Sequence, residues 1–569
     1  MKRFFCAKPA LFLRRTSFLA VPLIAFFFCS PVANAQFAVP AVPMEDPAKR
    51  LQEEERTRER ERRLVQETPG IEEKKPSTIQ EDDGRSPGEL PDVEPMFKID
   101  EIDITGNTIL TNREIEKIVA PFRGVPLGVN RANLLIRRLT VAYIEKGYIT
   151  TRAYLQEQNL KGGKLRIDIV EGSLEGIRYN GSELPFGVQL AFPTREGEKL
   201  YLPDLEQGVD QLNRLRRNQA KVMLVPGEKP GGTFVEVENR PQSSTYFNLG
   251  IDDAGSPSSG RTRLRGSVET ESLLGFQEYM TVNYTGSSNT NAALFSANAP
   301  HGYDLFSYTF SYSDYLSPLG NFALYSGNTY WHNIAWNRVL QRNAQGKTAL
   351  DVSFSQRTMR RYINDVELTP QRLSSIRVAV NTFKRLSWGQ WMAEGAYSQG
   401  IGIFNANSDP SGLPDEAAHS HFKKISGLFS LGIPLVNDWL YRSSISWQYS
   451  KTGLYSSEQL YLGGDTTVRG FIESPVAGDR GFVWRNDASF GLRSAPLGLP
   501  AMFEPYIFLD YGRAMQLALN EWQQLAGTGF GARLYSKSIR AEASVGWPVE
   551  KPASYSRGVQ LMANLNYLF

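Results

Sequence analysis

From residue 243 to residue 569 the chain alternates. Large apolar residues fall on every second position, and polar residues or glycine fall between them. Phe306, Tyr308, Phe310 and Tyr312 share one face. So do Ile376, Val378 and Val380, then Ile425, Phe429, Leu431 and Ile433, and finally Val559, Leu561, Ala563, Leu565, Tyr567 and Phe569. Period two is the period of a strand. No apolar run of 18 residues follows residue 35, so no helix there is suited to crossing a bilayer. A membrane chain patterned this way has to close its sheet, because an open edge in hydrocarbon leaves backbone groups unpaired. At about 20 residues per strand and turn, this stretch predicts about 16 antiparallel strands. A soluble β-sandwich is the competing fold.

Composition supports the barrel. The 569 residues include 25 Tyr and 31 Phe, yet only 41% are hydrophobic, too few for a polytopic helical protein. Lys and Arg number 63 against 60 Asp and Glu, so the net charge is +3. That balance argues against nucleic-acid binding driven by bulk positive charge.

Both cysteines, Cys6 and Cys29, lie in the first 35 residues. Lys2, Arg3, Lys8, Arg14 and Arg15 precede an apolar stretch at 18–28, and Ala33-Asn34-Ala35 is a cleavage-site pattern. This predicts a secretory signal peptide over 1–35. Residues 36–65 form a polar N-terminal segment whose stretch 48–65 is nearly all charged, with no apolar stripe to pack on a core. It is either a solvated segment or a polar helix in a water-filled space. Residues 66–95 carry five prolines and are expected to be a linker.

Two α/β modules are expected between linker and barrel, over 96–172 and 173–241, with the barrel from 242. In the first, Thr111 and Glu114 have capping-box spacing, Leu135, Leu139, Ala142 and Tyr143 recur at helical period, and Gly147 closes that helix. Strands are expected over 148–156 and 164–170. In the second, a helix over 204–217 precedes strands at 220–225 and 233–238. The order of elements repeats weakly.

Several stretches resemble the outer-membrane transporters of two-partner secretion, the TpsB family. Gly147-Tyr148-Ile149-Thr150-Thr151-Arg152 is similar to the end of that family's first POTRA domain, with Gly147, Tyr148, Thr150 and Arg152 as its motif. Leu212-Asn213-Arg214-Leu215 resembles its second POTRA domain, and Asp252-Asp253-Ala254-Gly255 its first barrel hairpin. Val468-Arg469-Gly470-Phe471 and Phe508-Leu509-Asp510-Tyr511-Gly512 resemble a loop motif and its partner on the barrel wall. The resemblance implies α+β periplasmic POTRA domains followed by an all-β transmembrane barrel in the outer membrane.

Alternation alone places Ile507, Leu509 and Tyr511 on one strand face and Phe508, Asp510 and Gly512 on the other. A carboxylate facing lipid is costly, so Asp510 is expected to face the lumen. The resemblance further implies that the loop bearing Val468, Arg469, Gly470 and Phe471 folds inward, so that Arg469 meets Asp510. It also implies that residues 36–65 plug the lumen. Phe569 ends an alternating strand and resembles a barrel-insertion signal.

Enzyme patterns are weak. His419 and His421 sit two apart with no evident third ligand, so no metal site is expected. Residues 227–232 have P-loop glycine spacing, but Thr233 stands where the loop needs lysine. No catalytic residue, cofactor or nucleic-acid partner is expected. By resemblance, the function is export of a TpsA-like exoprotein carrying an N-terminal secretion domain, recognised by the POTRA domains and moved without ATP hydrolysis. Outer-membrane lipid and the barrel assembly machinery are the other expected partners. A barrel-assembly insertase is the alternative.

Overall fold

A computed structural model describes residues 47, 49–53, 55–56, 86–256, 260–319, 323–343, 345–472, 474–492, 501–553, 555 and 557–569. The signal-peptide expectation lies outside the described residues, as does most of the linker.

Residues 245–568 form a closed antiparallel barrel of 16 strands, one of which is extended by a two-residue hairpin at Val366–Glu367. The first strand, Thr245–Asp252, pairs with the last, Gln560–Leu568, and this pairing closes the wall. Exposure alternates as the sequence predicts. On strand Met502–Gln516, Ile507 and Leu509 are 59% and 58% exposed, whereas Phe508 and Asp510 are buried. The apolar positions therefore form the outer face and the polar positions the lumen.

Two mixed sheets precede the barrel. In the first module the order is Glu101–Thr105, Lys164–Val170, Arg152–Tyr154, with the first pair parallel and the second antiparallel. Helices Asn112–Val119 and Val129–Glu145 cover it, and Leu135, Leu139, Tyr143, Leu165 and Ile167 make its core. The capping box forms: the Thr111 hydroxyl accepts from the Glu114 amide, and the Glu114 carboxylate accepts from the Thr111 amide at 2.9 Å. Gly147 ends the second helix at φ +92°.

The second module repeats the topology with Ser173–Tyr179, Gly232–Glu238 and Lys221–Pro226. Its helix Leu202–Asn213 buries Leu205, Val209 and Leu212.

Three boundaries differ from expectation. The strand expected over 148–156 shrinks to Arg152–Tyr154, because Tyr148 and Ile149 turn toward the second module: Ile149 joins that module's core, and the Tyr148 ring lies 5.2 Å from that of Tyr201. The helix expected to reach 217 stops at Asn213, whose side chain instead bonds the Ala220 backbone in both directions, at 3.0 and 2.7 Å. The linker does not extend through 95. Asp92 accepts from the Gly128 and Asn130 amides at 2.6 and 2.8 Å, at the start of helix Val129–Glu145, and Leu90 packs on the first core.

Candidate functional site in the barrel lumen

The loop between strands Trp439–Ser450 and Arg480–Phe490 folds back into the barrel. Its stem is a short ribbon of Leu460–Leu462 paired with Val476–Gly478. Asp479 fixes the base. Its carboxylate accepts from the Leu454 and Leu517 amides at 2.8 and 2.7 Å and from the Gln459 side chain at 3.0 Å. Leu462, Val468, Phe471 and Val476 then pack against Val483, Ala514, Leu525 and Tyr555, a small dry core inside a polar channel.

At the tip, Arg469 and Asp510 meet. The guanidinium donates from Nε and Nη2 to the two Asp510 oxygens at 2.7 and 2.8 Å, and the Arg469 amide adds a bond of 3.1 Å. Nη2 also donates to the Asn486 carbonyl at 3.2 Å, and the group lies 4.2 Å from the centre of the Phe508 ring. Asp487 stands 3.8 Å from Nη1. This bidentate geometry fixes direction as well as charge.

The remaining motif residues serve that contact. Gly470 adopts φ +96° with its Cα against the backbone of Trp547, where a side chain would collide. Phe471 stacks obliquely on Tyr555 at 5.0 Å. Gly512 leaves room for Val468, and a Cβ on Gly527 would fall 1.8 Å from the Arg469 carbonyl oxygen.

The described residues of the N-terminal segment, Pro47 to Arg56, are helical. Gln52 donates to Ser311 at 2.8 Å and accepts from Arg357 at 3.0 Å. Leu51 packs with Ala292 and Leu294. Arg50 donates to the Ala254 carbonyl at 2.7 Å and pairs with Asp465, while Lys49 donates to the Gln459 carbonyl. The helix thus touches the first turn, three wall strands and the inserted loop.

The seam between first and last strands has five paired positions, against eight between the first strand and the second. Side chains continue it. Asp253 accepts from the Ala563 amide at 2.8 Å, its own amide donates to the Ala563 carbonyl at 3.2 Å, and Arg261 donates to the Leu561 carbonyl at 3.0 Å. At the other end, Phe569 exchanges backbone bonds with Phe247 at 2.9 and 3.0 Å and stacks on its ring at 5.4 Å.

The motif Gly147, Tyr148, Thr150 and Arg152 does not reach the lumen. Gly147 accepts from the Leu202 amide at 2.9 Å, a Cβ there would meet the Tyr201 ring at 2.8 Å, and Thr150 packs against Gly172. Arg152 bonds the Ile149 and Thr151 carbonyls at 2.7 and 2.8 Å. Gly147 and Tyr148 thus join the two modules, while Thr150 and Arg152 brace the end of the first.

Asp409, missed in the sequence, sits between His419 and His421, at 3.5 and 3.2 Å from their Nδ1 atoms. It fastens a surface loop whose residue 418 bridges to Gly453, at the root of the inserted loop. Among the described residues, no cluster of three His, Cys, Asp or Glu is arranged to hold a metal.

Comparison with known proteins agrees with this architecture. Residues 231–534 match the family "Haemolysin secretion/activation protein ShlB/FhaC/HecB", and 97–172 and 173–226 match two POTRA domain models. The outer membrane transporter CdiB of Escherichia coli is 34% identical over 71% of this chain and 70% of its own. The hemolysin transporter protein ShlB of Serratia marcescens is 27% identical over 84% and 87%. The solved structure of CdiB from Escherichia coli superposes with a TM-score of 0.83, at 28% identity, over 92% of this chain and 99% of its own. The chain belongs to the haemolysin secretion/activation family, the outer-membrane transporters of two-partner secretion, which export partner exoproteins and hold their POTRA domains in the periplasm.

Proposed function

We propose that this transporter rests plugged, with the N-terminal helix and the inserted loop together filling the lumen, and that its exoprotein displaces both. The carrying observation is the span of the helix contacts, from Ala254 to Ser311, Arg357 and Asp465. A helix without an apolar stripe gains little from a lipid or a core, but its polar sides suit a water-filled channel lined by polar groups.

The cargo is an extended chain bearing an N-terminal secretion domain. It adds as a strand to the open edge Lys221–Pro226, which has a neighbour on one side only and exposes Met223, Leu224 and Val225. Main-chain bonds at such an edge demand little of side-chain sequence, as a reader of unfolded protein requires. Membership of the family implies that folding of the cargo outside biases movement outward without ATP hydrolysis. The relatives' names include hemolysin and heme/hemopexin transporters, so the fold serves several cargoes. The paired and stacked Phe569 is the terminus read by the barrel assembly machinery.

Removing residues 36–65 should raise single-channel conductance in planar bilayers severalfold and leave barrel levels unchanged. Conductance equal to the full chain's would reject the plug.

A further inference from the structure

The first periplasmic turn of the barrel carries more apolar surface than a connection between two strands needs. It joins Arg263–Glu271 to Tyr279–Gly286 and has the sequence Ser272-Leu273-Leu274-Gly275-Phe276-Gln277-Glu278. Leu273 and Leu274 are 63% and 64% exposed, and Phe276 is 45% exposed.

The turn is held in shape. The buried Glu278 carboxylate accepts from the Leu274 and Phe276 amides at 2.7 and 3.0 Å, and the Ser272 amide donates to the Glu278 carbonyl at 2.7 Å. Its one charge is therefore spent inward on the backbone, while its three large apolar side chains stand outward. A fixed turn that presents apolar groups to water loses stability unless something covers them.

The second POTRA domain brings a fourth. Its helix Phe186–Gln189 lies against this turn, so close that a Cβ on Gly187 would stand 1.7 Å from the Gly275 carbonyl oxygen. Phe186 is 62% exposed and meets Phe276 edge to face at 6.2 Å. The patch continues the lipid-facing wall, where Leu264, Val268, Val282 and Tyr284 point outward on the two strands that the turn connects. Other turns at the same end of the barrel expose Trp388, Leu435 and Val436, which marks the interfacial girdle.

We propose that Phe186, with Leu273, Leu274 and Phe276, enters the periplasmic leaflet of the outer membrane and seats the second POTRA domain on the lipid. The ligand is the boundary between phospholipid headgroups and acyl chains, where aromatic and leucine side chains gain most from partial burial. The domain is thereby held beside the barrel's second and third strands, one strand away from the closing seam.

Cys6 and Cys29 are the only cysteines, so with Cys6→Ser and Cys29→Ser in the background single labels are clean. Phe186→Cys and Leu274→Cys would be spin-labelled in the full-length protein, in phospholipid nanodiscs, and their collision rates with oxygen and with a nickel chelate compared. Leu264→Cys on the lipid face and Met223→Cys on the POTRA edge are the references. Labels at 186 and 274 should behave like the one at 264, with an oxygen-to-nickel ratio severalfold above that at 223. A ratio at 186 equal to that at 223 would overturn the proposal, even if 274 reads lipid. A water-exposed label at 186 that becomes shielded only when the exoprotein's secretion domain is added would also overturn it, and would make the patch a cargo site.

Discussion

At the scale of single residues, Arg469 has the clearest burden. Its side chain is 7% exposed and that of Asp510 is fully buried. Each charge is tolerated in the wall because the other is there. Removing one partner of such a pair costs about 3–5 kcal/mol, since the survivor keeps its desolvation penalty. Asp510→Ala should therefore free the loop tip, seen as faster proteolysis between 463 and 476, and Arg469→Ala should do the same. The double variant should be no worse than either single one; strictly additive effects would dissolve the pairing. Alternation was enough to turn Asp510 inward, and the motif named Arg469. The role of Asp479 was not legible, because the amides its carboxylate accepts, from Leu454 and Leu517, lie 25 and 38 residues away and share no period with it. Asp409 escaped for the same reason. Burial works against its charge, but the Ser420 hydroxyl and amide and the His421 amide and ring more than offset that, and its pKa is held at about 2. A carboxyl lowered in the folded state stabilises fully above the ordinary value of about 4, and that contribution is lost as pH falls through the lowered value. Hydrogen exchange at 409–421 should thus be protected alike from pH 7 down to about 4 and rise only below it, whereas Asp409→Ala should exchange fast at neutral pH.

At the scale of elements, the seam is the least paired junction in the wall. The sequence predicted a closing strand from its alternation but could not say how far the ladder runs, since register with a strand 300 residues away is set by the whole circuit of the barrel. Ladder pairing stops at Asp252 and Asn564; beyond it one backbone bond remains, from the Asp253 amide to the Ala563 carbonyl, and the side chains of Asp253 and Arg261 supply the others. Replacing two ladder bonds by side-chain bonds makes the junction separable without unzipping a strand. Asp253→Ala should cost about 1 kcal/mol locally. It should raise amide exchange at Leu561 and Ala563 severalfold, with the centre of strand Gly346–Ile363 unchanged. Equal protection in both proteins would show that the ladder alone closes this end. The strand shortened to Arg152–Tyr154 teaches a related lesson: Tyr148 and Ile149 have strand propensity, but Ile149 packs on the second module's core and Tyr148 lies between the first core and the Tyr201 ring, and tertiary burial wins.

At the scale of the molecule, the periplasmic arm is anchored at two joints. One is Gly147 against Tyr201, which couples the POTRA domains. The other is helix Leu202–Asn213, laid across two barrel turns. Gln207 and Gln211 both donate to the Gly302 carbonyl, at 3.1 and 3.0 Å, Tyr303 donates to Asp204, and Arg342 bridges Glu206 at 3.3 Å and Asp210. The helix was legible from its apolar face, but the partners of its acidic residues, 99 to 136 residues on, were not. Burial raises the Asp204 pKa despite the Tyr303 hydroxyl, so that joint tolerates protonation, whereas the Arg342 joint depends on charge. Arg342→Ala removes the nearer cation from Glu206 and Asp210, leaving Lys347 at 3.9 Å from Asp210, and should weaken docking by about 3 kcal/mol. Labels at 161 in the first POTRA domain and at 387 in a barrel turn would then give a broadened distance distribution by pulsed electron spin resonance, and export should fall while barrel levels hold. An unchanged distribution would mean that the glutamines and the Gly187 contact hold the arm by themselves, and that a cargo strand added at Lys221–Pro226 pulls on a domain fixed by packing rather than by charge.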